Sequence, residues 1–571
     1  MRTYPHHLTT DLPQLPVPSL EESLERYRTA SAAMYDAAGE ADVNQAIADF
    51  ALGSAPTLQH TLEEYAETMA ASGSNWMAEQ WLERYLRNRE PLLLTSNSLF
   101  QFNLPTASTG VDRIVELLQR IGSIHILQAA RETPPEYDDE GRRLSMDAWA
   151  TFNGGIRTPE VEEDIWMRAG TGATYRSVGL LYLGRMWEVP LTGSEGKLLA
   201  AEQLRSSVEY VLSQTEPALQ SFAGFAALGS GVLALQLPWE AEENRSLYTR
   251  LTNMLFTLTL DPQTEENLDT LKRWAFQPGF AWAYKPLSYL VGLDNQLIAA
   301  SVEHSVLEAG TLATAVRRMQ SVELDTLDAQ YDEHATRPQE LIWHGVHDDL
   351  NEYYERAMGM QVQRVTVHHP EQFPDDISAD AQAQLILMIA QQLTYGHIRA
   401  HNQCCDMRHF RAGRTETIRP VTLQAVNFVN ALVQGGATQA HLTAALAAHQ
   451  DWIRAAKTGK AFDRHMFMLH HIGQELGGAN ADIFRQYAHA RENFLATSTA
   501  DSPDTILRAI VPPTIEDGFG VHYTQIPSGV EYVLTSTQNT PRAEEFHASI
   551  QSAAELFYTF VAAHTPDIIE E

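Results

Sequence analysis

Cysteine is nearly absent from the chain, which holds only two, Cys404 and Cys405, side by side. Adjacent thiols make no disulfide framework, which points to a reducing compartment and a cytoplasmic setting. Bases are scarce as well, 40 against 73 acids, giving a formal charge of −33. No basic stripe survives such a field, which disfavours nucleic acid and anionic membrane as partners. The opening MRTYPHHLTTDLPQLPVP lacks the apolar core of a secretory signal. One uncharged stretch, 217–239, is long enough for a membrane span. Glycine, serine and glutamine interrupt it, so a buried strand and loop are expected and no membrane span. Internal repeats, a Walker loop, a dinucleotide fingerprint and a nucleophile elbow are all missing.

What is present is an ordinary globular composition, 44% apolar over 571 residues, enough for two or more cores. Helical periodicity marks 19–35, 76–86, 379–402 and 540–564. Strand patterns mark 177–191, 287–293, 297–304, 361–369, 518–526 and 529–537. Asp294-Asn295-Gln296 reads as the turn of a hairpin joining 287–293 to 297–304, with His304 at its exit. The fold class is α/β with mixed sheets and flanking helices. Polar stretches near 134–145 and 321–350 read as loops or surface helices.

A histidine at the end of a strand can be held rigidly and still face a cleft, and its ordinary pKa suits proton transfer near neutrality. Glu308, four positions on, could hold one ring nitrogen and leave the other as a base, or only order the loop. Spacing alone does not separate these. Two histidine clusters, His344/His347/Asp348 and the three histidines of DRHMFMLHH (463–471), lack metal-ligand spacing, so no metal is expected. The segment SNWMAEQWLERYL (74–86) reads as a packed aromatic helix.

Longer strings carry more information. FAWAYKPLSYLVGLDNQLIAASVEHSVLEAG (280–310), HNQCCDMRHFRAGRTETIRP (401–420), KAFDRHM (460–466) and FLATST (494–499) occur in an order that resembles the choline/carnitine O-acyltransferase family. LPQLPVPSLEESLERY, NWMAEQWLERYLRNREPLLLTSNS (75–98) and DGFGVHY (517–523) extend the resemblance from about residue 12 to about 563. It implies two chloramphenicol-acetyltransferase-like domains, 71–340 and 12–70 plus 341–571, with an active-site tunnel at their interface. It also implies acyl transfer between a thioester and an alcohol without a covalent enzyme intermediate. By residue matching, His304 is the general base, Glu308 its acidic neighbour and Ser498 the donor to the developing oxyanion, a role worth ~3–4 kcal/mol. Ala496 replaces the first serine of that motif.

For the acceptor, matching assigns Thr415, Arg464, Asn402, Thr497 and Val511. A guanidinium with hydroxyl donors suits a carboxylate, which favours carnitine over choline. Two departures stand against this: Asn402 occupies a tyrosine position, and Val511 the place of an aromatic that faces the trimethylammonium. For the donor, the resemblance implies a coenzyme A thioester as co-substrate, with no tightly bound cofactor and His369, Asp380 and Cys404 as binding residues. The family's lysine-rich phosphate loop, however, reads VHHPEQFPDDISADAQAQ (367–384) here. Lysine is missing from 286 to 456, and Glu371, Asp375 and Asp376 would repel a phosphate. The implied partners are small-molecule substrates and, as an alternative donor, the pantetheine of an acyl carrier protein. A non-catalytic binding protein on the same fold is a further alternative.

Overall fold

The structure, a computed structural model, describes residues 11–35, 37–170, 174–236, 241–345, 349–370, 373–374, 377–477, 481–490, 492–499 and 502–564. His347, Asp348, Glu371, Asp375 and Asp376 lie outside the described residues.

Two large mixed sheets organise the chain, and helices flank them. The first has eight strands in the order Gln339–Leu341, Arg185–Pro190, Ser177–Tyr182, Thr257–Asp261, Leu287–Gly292, Ile298–Val302, Ser98–Phe102 and Ile506–Ile510. The second has six: Met360–His368, Gly529–Thr537, Phe519–Ile526, Leu495–Thr499, His401–Asp406 and Thr415–Ile418. The expected α/β class with mixed sheets is observed. The last strand of the first sheet comes from far along the chain, so the 12–70 plus 341–571 portion contributes a strand to the sheet of the 71–340 portion.

The hairpin that carries His304 forms as expected, with Leu287 facing Val302 and Val291 facing Ile298. Its side chains are buried on both faces of the sheet, each large aliphatic contributing about 1.5–3 kcal/mol. Other expectations need correction. The run 177–191 is two strands, because Leu183 and Gly184 both adopt positive φ, 50° and 79°, and turn the chain back as a two-residue hairpin. The stretch from 217 is not a strand: it forms a short 3₁₀ turn at Phe225–Ala227 and the helix Ser230–Gln236, and 237–239 lie outside the described residues. The helix from Ala379 stops at Tyr395, where Gly396 caps it in the left-handed conformation, and His401–Asp406 then runs as a strand. No helix among the described residues is long and apolar enough to cross a membrane.

The second sheet has two differently dressed faces. Leu495, Val521, Tyr523, Tyr532 and Leu534 point into a core shared with the helices Ala379–Tyr395 and Ala543–His564. Alternation then turns Asn402, Cys404, Ala496, Ser498, Gly520, His522 and Val533 to the opposite face. Strand Ile506–Ile510 of the first sheet meets that face. Thr524 Oγ1 donates to the Leu507 carbonyl at 3.1 Å, and Arg508 pairs with Glu531 at 2.7 Å. A Cβ on Gly520 would sit 1.9 Å from the Val511 carbonyl oxygen, so only glycine fits that crossing. This is the seam between the sheets.

Candidate active site

His304 leaves the first sheet two residues after Val302 and is only partly covered, its side chain 27% exposed. Its Nδ1 lies 3.0 Å from the Leu307 carbonyl. A carbonyl only accepts, so the ring proton sits on Nδ1 and Nε2 keeps its lone pair. Of the two roles open to Glu308, holding a ring nitrogen or ordering the loop, the first is not seen: the backbone holds Nδ1, and Glu308 Oε2 stands 3.7 Å from Nε2. That is too long for a hydrogen bond and close enough to stabilise an imidazolium.

Glu308 is itself fixed by Arg414. Nε and Nη2 of that arginine donate to Glu308 Oε1 at 2.9 and 2.6 Å. Nη2 also donates to the His304 carbonyl at 3.0 Å, and Nη1 to the Ser305 carbonyl. Beneath the same turn, Glu303 accepts from Arg157 at 3.0 Å and from Ser305, and Arg157 also pairs with Asp164 at 2.6 Å. All three of these charges are fully buried. Removing one would strand the others, a loss typically of about 3–5 kcal/mol.

The helix Ala78–Leu86 supplies an aromatic wall. Just before its start, the Asn75 side-chain oxygen accepts from the Met77 and Ala78 N–H groups at 2.9 Å each. Trp81 and Tyr85, one turn apart, then share a face. The Tyr85 ring stands edge-on to His304 with centroids 5.7 Å apart, and the Arg464 guanidinium lies 3.5 Å over the Trp81 ring. This helix packs into a hydrophobic core, as expected, and in addition sets Tyr85 against His304 and Trp81 against Arg464. Arg464 is further held by Thr415, donating to its carbonyl at 3.0 Å and its hydroxyl at 3.4 Å, and by the Thr417 hydroxyl at 3.3 Å.

The structure sorts the remaining candidates by sheet face. Asn402, Cys404 and Ser498 share the seam face, and strand Thr415–Ile418, which holds Arg464, borders it. The Asn402 side-chain oxygen is buried without a hydrogen-bond partner among the described residues. Cys404 is solvent-accessible, yet burial among its neighbours, with the Glu308 carboxylate adding, pushes its thiol up to about 11. Val511 follows strand Ile506–Ile510 at the seam.

Three candidates lie elsewhere. Thr497 faces the helices, its hydroxyl donating to the Asn402 carbonyl and accepting from Gln384, both at 2.8 Å. Asp380, on that side too, accepts from Tyr523 at 2.6 Å, Gln403 at 2.7 Å and His449 at 2.8 Å. Burial opposes its charge, but His449 and the two donors outweigh it and hold the carboxyl below its ordinary range. His369 is at the far edge of the sheet, stacked on Phe373 and close to the Pro370 carbonyl.

Sequence reasoning missed Tyr85, Trp81 and Arg414 as neighbours of the site, and His522, whose Nδ1 is 3.1 Å from Ser498 Oγ. The i, i+4 spacing of Trp81 and Tyr85 was the available signal. The histidines of 463–471 have other roles. His465, for example, is buried between Ser23 and Gln59. A surface groove of about 1270 Å³ between the helices Leu20–Ala32, Ala37–Leu52 and Gln439–Lys457 holds none of the candidates. Its walls are mostly aliphatic side chains and charged groups, whereas Asn402, Cys404, Ser498 and Val511 lie at the seam.

A part-exposed histidine beside a carboxylate that an arginine fixes, with a second arginine on the neighbouring aromatic helix and a serine on the seam face, are residue types suited to group transfer. Residues 15–552 match the family described as Choline/Carnitine o-acyltransferase. The chain belongs to the choline/carnitine O-acyltransferase family. It is 22% identical to human carnitine O-acetyltransferase over 92% of this chain and 89% of that protein. It is 20% identical to bovine mitochondrial carnitine O-palmitoyltransferase 2, over 96% and 92%. Among solved structures, the trichothecene 15-O-acetyltransferase of Fusarium sporotrichioides covers 84% of this chain and 93% of its own, with a TM-score of 0.41 and 8% identity.

Proposed function

We propose that the protein moves an acyl group between a thioester and the hydroxyl of carnitine or a similar small hydroxy acid, with His304 as general base. The observation that carries this is the His304 ring: Nδ1 is tied to the Leu307 carbonyl, and Nε2 is bare beside a carboxylate that Arg414 holds. In the forward step Nε2 takes the hydroxyl proton as the alkoxide oxygen attacks the thioester carbonyl. Glu308 offsets the positive charge of the imidazolium. The negative charge moves to the carbonyl oxygen, where the Ser498 hydroxyl donates. Collapse reforms the carbonyl and breaks the carbon–sulfur bond, and the thiolate takes the proton back from His304. Arg464, fixed on Trp81 and Thr415, suits the carboxylate of the acceptor.

For the donor, the first reading is a coenzyme A thioester, which the family resemblance implies. A second reading, the pantetheine thioester of a carrier protein, is favoured by one observation, the lysine-free stretch from 286 to 456. Free-thiol release from acyl-coenzyme A, acyl-pantetheine and acyl-carrier protein, each with carnitine, choline and polyols, tests both. Release with coenzyme A donors and carnitine supports the first reading. Release from the carrier protein alone supports the second, and none from any pair refutes the enzyme.

A further inference from the structure

Ser498 and His522 sit directly opposite each other on parallel neighbouring strands, both on the seam face, with Ser498 Oγ 3.1 Å from His522 Nδ1. His522 is 1% exposed, and its Nε2 is buried with no hydrogen-bond partner among the described residues. Val533 faces it from the other neighbouring strand, and Gly520 and Thr524 flank it on its own. The nearby charge is Arg508, paired with Glu531. Burial first, and Arg508 second, push the imidazole down to about 3, so the ring is neutral and carries one proton.

That proton has two places to go. On Nε2 it would be a buried N–H with nothing to accept it, an arrangement folded proteins rarely tolerate and one that costs about 1–3 kcal/mol. On Nδ1 it is given to Ser498 Oγ, and only a lone pair is left unmatched at Nε2. The second arrangement wins, and it fixes the direction of the serine. With Oγ accepting from His522, the Ser498 hydroxyl proton cannot point back at the ring and is free to donate into the seam.

We infer that His522 is a positioning residue: its Nδ1–H holds Ser498 Oγ so that the serine hydroxyl faces the acyl carbonyl oxygen. This rests on the acyl-transfer reading given above. It adds a residue that acts on the transition state through Ser498 and not by touching substrate.

Two measurements test it. In protein labelled with ¹⁵N at histidine, one ring, identified by its loss in His522→Asn, should show a protonated Nδ1 and a bare Nε2 unchanged from pH 8 to pH 5. A protonated Nε2, or titration within that range, would overturn the inference whatever the activity. Kinetically, His522→Leu should lower kcat roughly tenfold, the loss of one oriented hydrogen bond, with KM for both substrates nearly unchanged. His522→Asn, whose amide nitrogen can donate from near the Nδ1 position, should recover most of that loss. In a Ser498→Ala background, His522→Leu should lower kcat no further. An equal further loss in that background would mean that His522 only supports the fold. If the wild-type protein releases no thiol from any donor, the acyl-transfer reading fails, and with it the catalytic meaning of the hydrogen bond, whose direction the labelled protein still reports.

Discussion

On the helix-covered face of the second sheet, polar atoms are matched one to another. Asp380 accepts from His449, Gln403 and Tyr523, and Gln384 joins Thr497 to the His401 ring. On the seam face, reached by the same strands, Asn402 Oδ1, His522 Nε2 and Thr535 Oγ1 are buried with no partner among the described residues. A fully satisfied network stabilises and rigidifies, whereas an unmatched buried group lowers stability. The seam face therefore costs stability that the helix face supplies. Two residues next to each other in sequence, Thr497 and Ser498, belong to these two regimes.

Substitutions on the two faces should separate stability from rate. The largest effect is expected at Ser498→Ala, a fall in kcat of roughly 10²–10³-fold, with only about 1–3 kcal/mol of stability lost because the His522 N–H is left without an acceptor, read by thiol release and urea unfolding. On the opposite face, Asp380→Ala leaves His449 without its carboxylate. A loss of about 3 kcal/mol is expected in urea, at the low end for a buried pair because Asp380 is partly exposed, with kcat of the folded fraction retained. Arg464→Lys should raise KM for a carboxylate-bearing acceptor by roughly tenfold and leave an acceptor without a carboxylate little affected, since an ammonium cannot reproduce the stacked, forked donor set.

Acid should act most gradually. Burial pushes His125, His401, His465 and His522 down to about 3, so each is neutral in the fold and takes a proton only on unfolding. The unfolded chain then binds more protons than the folded one between about pH 6.5 and pH 3. Stability is whole above pH 6.5 and falls below it, each ring contributing roughly 1.4 kcal/mol per pH unit. Urea midpoints measured from pH 7.5 to pH 5 should show this decline, and a flat profile would contradict the burial of these rings.

The hairpin before His304 was legible because two short, largely apolar runs flank a short polar turn. The break at Leu183-Gly184 was not, since the run continues apolar on both sides and only the φ of those two residues announces the turn. Ile506–Ile510 pairs with a strand hundreds of residues away. Local pattern has no access to such a partner, and the neighbours of sequence-adjacent strands are the usual guess. Within the site, motif strings located His304, Thr415, Arg464 and Ser498. They did not reveal that Trp81 lies under Arg464, that Arg414 holds Glu308, or that His522 holds Ser498. Each of those contacts needs the seam, which forms only when both sheets are in place.

Thiol release by the wild-type protein and by His304→Ala, in parallel with circular dichroism of both, is the measurement that bears most directly on the account. Turnover by the wild type and a fall of at least about 10²-fold in the variant, with superimposable spectra, is the predicted result. Equal thiol release from the two proteins would contradict it.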